Sequence, residues 1–108
     1  MEFIELAENL GLEEDEFLEL VDLYIETCSA DLARLESALQ QSNIQEVVEL
    51  SHSIKGSSGN LGFMNVFEMA KEIEDKARNS ILEGAISSVQ SIKEIVKQIT
   101  QKYESAKN

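Results

Sequence analysis

The chain has 108 residues, which supports one domain (1–108) built on one hydrophobic core but not two. Its net charge of −12 is uneven: residues 1–50 hold fourteen acidic side chains against Arg34 alone, a surface that repels nucleic acid and anionic lipid. There is no run near the ~20 apolar residues of a membrane span, the opening Met1-Glu2-Phe3-Ile4-Glu5 is acidic where a signal peptide is basic, and the lone Cys28 excludes an internal disulfide. The expected location is the cytoplasm. The acidic half reads either as a solvated face or as a surface steering a positively charged partner.

Proline and tryptophan are absent, and helix formers dominate. The leader Phe3–Leu10 predicts a short helix stopped at Gly11. Over residues 14–41, Phe17, Val21, Tyr24, Ile25, Cys28, Leu32, Leu35 and Leu39 share one face. A helix of that length needs bundle partners, and Cys28 in mid-stripe reads as a small core residue. The third helix opens at Asn43, with Glu46 at capping-box spacing, and ends near Gly62. A second such pair, Asn65 and Glu68, is expected to open the fourth, whose apolar face is Val66, Phe67, Ala70, Ile73 and Ala77. A third pair, Ser80 and Glu83, is expected to start the last helix. Its stripe is Ala85, Val89, Ile92, Ile95, Val96, Ile99 and Tyr103, and residues 104–108 are expected to fray. No segment alternates with period two, and short connections make consecutive helices antiparallel. The predicted fold is all-α: an up-down antiparallel four-helix bundle with a short N-terminal capping helix.

The only histidine, His52, lies on the third helix. With Ile54 at zero degrees, Val47, Leu50, Ser51, Ser57, Ser58 and Leu61 fall within roughly 60° of it, while His52 lies about 160° away. Gln45, Glu49, Gly56 and Gly59 share the histidine's side, flanked by Val48 and Lys55. Each interior helical glycine costs about 1 kcal/mol relative to alanine, and two on one face suggest a surface kept clear for a visitor.

An exposed histidine on rigid secondary structure can be a phosphoryl acceptor, a general base, a metal ligand or an inert surface residue. Lys55, one turn on, can stabilise an anion carried by the ring or can simply be a solubilising lysine. Glu74 falls inside the apolar stripe of the fourth helix, where a carboxylate needs a partner. Two are open to it: the Nδ1–H of His52, leaving Nε2 outward as a nucleophile, or Arg78 four residues along. The residues offer no zinc ligand set, no hydrolytic triad and no phosphate-binding glycine loop for ATP. No metal or cofactor is expected, and a phosphoryl group must come from another molecule.

The run Ser51-His52-Ser53-Ile54-Lys55-Gly56-Ser57-Ser58-Gly59-Asn60-Leu61-Gly62 resembles the signature of histidine-containing phosphotransfer (HPt) domains. The resemblance extends to Asp31-Leu32-Ala33-Arg34-Leu35 upstream and Ile73-Glu74 downstream, nearly the whole chain. It implies a phosphoryl carrier, not an enzyme, that relays between receiver-domain aspartates or from a histidine kinase or hybrid kinase. By the same resemblance His52 is the acceptor, Lys55 the phosphate-stabilising cation, Gly56 the small residue that admits the receiver, and Glu74 the group that orients the imidazole. Many such domains carry glutamine there, and glutamate is similar to the phosphoacceptor domain of chemotaxis kinases. The magnesium and catalytic carboxylates belong to the receiver, which is expected to cover Val48, Gly56 and Gly59. A monomer suffices. Two rival expectations are a helical adaptor with an incidental histidine, and a phosphoacceptor piece of a larger kinase. The opening methionine and the absence of a linker favour a separate protein.

Overall fold

The computed structural model describes residues 2–107. They form five helices and, among the described residues, no strand: α1 (Phe3–Asn9), α2 (Glu14–Gln40), α3 (Ile44–Leu61), α4 (Met64–Arg78) and α5 (Ala85–Lys107). The 27 residues of α2, at about 1.5 Å each, span about 40 Å and set the 41 Å long axis of the molecule. α2 packs on α3 and α5, α3 on α4, and α4 on α5, so the long helices close a ring around one core, while α1 packs on α2. No described helix is long and apolar enough to cross a membrane.

The predicted stripes face this core. Phe17, Val21, Tyr24, Cys28, Leu32, Leu35 and Leu39 of α2 are buried, with Ile25 half-buried beside them. Burial pushes the Cys28 thiol up to about 11, as expected of a packing residue. In α5 the stripe from Ala85 to Ile99 is buried, apart from the half-buried Ile95. At one end Phe3 meets Phe17 edge-on at 5.7 Å and lies 6.3 Å from Phe63, which itself lies 5.0 Å from Tyr24. This aromatic cluster ties α1 to the α3–α4 turn and makes the seven-residue α1 more than a loose leader.

Three sequence expectations are corrected at helix ends. Asn65 does not cap α4. The helix starts at Met64 behind Phe63, which has no capping side chain but is buried. Burying a phenyl ring stabilises by about 1.5–3 kcal/mol and a polar cap by about 1, so the ring sets the boundary. Ser80 does not open α5 either. It closes α4 in the left-handed region (φ 60°), with its N–H on Ala77 O and the Ile81 N–H on Lys76 O. Ser42 closes α2 in the same way, through Leu39 O and Ala38 O. α5 starts later, after Gly84 at φ 80°. Finally, residues 104–107 remain helical, with Lys107 Nζ 5.3 Å from the centre of the Tyr103 ring one turn back; Asn108 lies outside the described residues. The Asn43 cap holds in part. Its side chain accepts from the Glu46 N–H, but the Glu46 carboxylate returns to the Asn43 side-chain amide rather than to its backbone.

Candidate functional site

α3 separates its two faces cleanly. Val47, Leu50, Ser51, Ile54, Ser58 and Leu61 are buried, and Ser57 is half-buried. The buried serines allow close helix packing because each finds an acceptor or partner. Ser51 Oγ donates to Val47 O (2.7 Å), and Ser58 Oγ shares a hydrogen bond with Tyr24 Oη (2.8 Å). On the opposite face the His52 side chain is 63% exposed. Gln45, Glu49 and Gly56 are exposed with it, and Val48, Lys55 and Gly59 are half-buried at its margins.

The two glycines differ. A Cβ on Gly56 would meet nothing, so its surface is open. A Cβ on Gly59 would sit 2.9 Å from Phe67 Cδ1. Packing against α4 therefore explains Gly59, contrary to the expectation that both glycines keep room for a visitor. Phe67, expected on the core face of α4, is half-buried and lies over this position.

Glu74 of α4 is the centre of the site. Its side chain is 2% exposed and gathers three donors. His52 Nδ1 lies 2.9 Å and Arg78 Nη2 2.7 Å from Oε2, while Lys55 Nζ lies 2.6 Å from Oε1. The two partners that the sequence left as alternatives for Glu74 are both present, and Lys55 is added to them. Burial pushes the carboxyl up, but the close approach and charge of Lys55 and the hydrogen bonds from Arg78 and His52 outweigh it and bring the group down to about 2. An ionised carboxylate can only accept, so the hydrogen between it and the ring belongs to Nδ1. In the neutral ring Nε2 then keeps its lone pair, and the ring faces water. The Lys55 ammonium, expected beside a ring-bound anion, rests on the carboxylate.

Two features carried no clear sequence signal. Asp31 is buried and accepts from Ser53 Oγ (3.1 Å), bracing the residue next to His52 against α2. The surface beyond Gly56 also opens onto a shallow apolar groove between α1, α2 and the end of α3, lined by Leu10, Leu12, Leu20, Leu23 and Leu61, with Ser57 and Asn60 at its edge. Leu10, Leu20 and Leu23 are exposed. All three lie off the stripe that periodicity assigns to the core, so nothing in the spacing marks them as a surface. Among the described residues no three His, Cys, Asp or Glu side chains converge as a metal site.

A family model described as Hpt domain matches residues 19–102. Among solved structures the chain is similar to histidine-containing phosphotransfer protein B from Pseudomonas aeruginosa PAO1. That match has a TM-score of 0.84 and 27% identity, and covers 94% of this chain and 88% of that one. The chain matches no curated protein. A helical bundle with an outward imidazole and a family model spanning most of its length are mutually consistent: the chain belongs to the Hpt domain family, the histidine phosphotransfer modules of two-component phosphorelays.

Proposed function

We propose that His52 is the phosphoacceptor of this module. Nε2 attacks the phosphorus of a receiver phosphoaspartate in line. The N–P bond forms as the P–O bond to the aspartate breaks, and the aspartate leaves as a carboxylate. Nδ1 keeps its proton throughout, so the ring becomes cationic, and the Glu74 carboxylate stabilises the charge that develops there. Lys55, one turn from His52 on the same helix and partly exposed, turns from Glu74 to the equatorial oxygens of the phosphoryl group. Reversal of the same steps hands the group to another receiver.

The observation that carries this reading is the 2.9 Å contact from Nδ1 to a buried, ionised carboxylate, which leaves Nε2 as the free nitrogen of an exposed ring. The receiver covers Val48, the open backbone at Gly56 and the adjoining apolar groove, with Gly59 beneath it as packing. The scaffold is an up-down antiparallel bundle of four long helices forming one domain, with α1 capping one end. The module works as a cytoplasmic monomer with no ATP site or nucleic-acid surface of its own, and it serves receiver domains and a histidine or hybrid kinase. The test is incubation with a phosphorylated receiver. Wild type takes up acid-labile, alkali-stable label and His52→Gln takes none; equal labelling of both overturns the assignment.

The glutamate at position 74 favours a second reading in which the immediate donor is a chemotaxis-type kinase. Labelling from the kinase with ATP and no receiver present separates that donor from a phosphoaspartate.

A further inference from the structure

Two basic side chains, Lys55 and Arg78, face one carboxylate in this site. The other nearby cations of α4 are paired elsewhere, Lys71 with Asp75 at 3.4 Å and Lys76 with Glu72 at 3.0 Å. Lys55 and Arg78 both fall on Glu74, which neutralises only one of them. The two contacts are not equivalent. Arg78 makes a directed hydrogen bond to Oε2, the same oxygen that accepts from His52, and the four-residue spacing along α4 holds it there. Lys55 reaches across from α3 to Oε1, in a close ion contact whose angles fall short of a directed hydrogen bond. Its stem is long and flexible, and its side chain is 23% exposed, so water or an anion can reach it.

We propose that Arg78 is a positioning residue of the relay: it keeps the Glu74 carboxylate ionised and on Nδ1 while Lys55 leaves that carboxylate for the phosphoryl group. The proposal rests on the phosphoacceptor reading of His52. A lysine that alone held Glu74 could not leave. Its departure would leave a carboxylate that is 2% exposed with only the Nδ1–H of a ring that is neutral until transfer, and a buried carboxylate so weakly compensated takes up a proton or swings away. Either event would release Nδ1–H and the tautomer with it. With Arg78 in place the site spares one positive charge for an incoming dianion, and the ring orientation survives the transfer. Arg78 is 57% exposed and its hydrogen bond goes to Glu74 Oε2, so its action passes through Glu74.

The test uses the full unphosphorylated chain first. Imidazole nitrogen NMR at neutral pH reads the His52 tautomer in wild type, Lys55→Ala, Arg78→Ala and the double variant. The Nδ1–H pattern is expected in wild type and in both single variants, since either cation suffices at rest. It is expected to collapse in the double variant. Retention of the pattern in the double variant overturns the proposal, as does its loss in Lys55→Ala alone, which would show that Arg78 cannot hold the carboxylate by itself. Transfer from a phosphorylated receiver then reads the working state: Arg78→Ala slows it about tenfold, the loss of one charge-assisted contact, and Arg78→Lys restores most of the rate. An unchanged rate in Arg78→Ala overturns the proposal. Because the tautomer is read without phosphate, its outcome is separate from a failure of His52 to take label.

Discussion

α3 is held on its two sides by different kinds of polar contact. Towards α2 the pairs are closed: Ser58 with Tyr24 at 2.8 Å and Ser53 with Asp31 at 3.1 Å. Each group there finds its partner, and nothing is left over to meet another molecule. Towards α4 the cluster is open. Glu74 meets three partners, but the ring it orients has an unused nitrogen, and the cations around it exceed its charge by one. The first seam fixes the register of α3 so that the second can aim an imidazole at water. A buried polar network therefore serves as structure where its groups balance and as chemistry where they do not.

The sharpest way to break this contrast is to remove the carboxylate. Glu74→Ala deletes a charge-assisted hydrogen bond worth about 1.5–3 kcal/mol, so phosphoryl transfer should fall about 10- to 100-fold. Glu74→Gln keeps an acceptor for Nδ1–H without the charge and should fall less. Stopped-flow transfer from a phosphorylated receiver separates the two. The same residue gives the open seam an acid dependence. Its carboxyl lies below the ordinary value in the fold, so its contribution is complete above about 4.5 and is lost as pH falls towards about 2. Denaturant titrations of wild type and Glu74→Gln should therefore diverge above that window and converge within it. Equal slopes of stability against pH in both proteins would remove Glu74 from the acid response.

The closed seam should respond in the opposite sense. Tyr24→Phe leaves the buried Ser58 hydroxyl short of its inter-helix partner, a cost of about 1–2 kcal/mol. Stability should drop by that amount in a denaturant melt, while the transfer rate of the folded protein stays at the wild-type value. A matching loss of rate would show that the seam is not merely structural.

This division also explains what could be read from the chain. Helix faces obey a period, so the buried stripes of α2, α3 and α5 and the outward phase of His52 were legible in spacing alone. Helix ends were less so. Ser42 and Ser80 adopt the left-handed cap that glycine usually marks, and Ser80 therefore resembled an N-cap. Phe63 opens α4 by burying its ring, which overrides a good capping spacing that starts two residues on. At the site, the lone polar residue in an apolar stripe exposed Glu74. One-dimensional spacing could only offer His52 or Arg78 as its partner, because sharing depends on how closely two helices approach. The apolar groove left no trace, since Leu10, Leu20 and Leu23 are ordinary surface leucines until three helices bring them together.

The smallest effects separate the two glycines of the histidine face. At Gly56 an added methyl meets nothing, and alanine is the better helix former by about 1 kcal/mol, so Gly56→Ala should raise the melting temperature slightly. At Gly59 the same methyl would lie 2.9 Å from an aromatic ring carbon of Phe67. The ring rests on α3 at that point and must shift, and overpacking costs about 1–3 kcal/mol, so the propensity gain is cancelled or reversed. Thermal melts should therefore move in opposite directions, or up at 56 and not at 59. The functional readout inverts that order. A side chain at 56 stands on the surface one turn from His52, so Gly56→Ala should weaken receiver binding although it stabilises the fold. Gly59→Ala acts on the α3–α4 packing beneath and should leave the affinity of the folded protein nearly unchanged. If binding weakens equally in both, the receiver reaches over Gly59 as well, and the boundary between docking surface and scaffold lies one turn further along α3 than this packing implies.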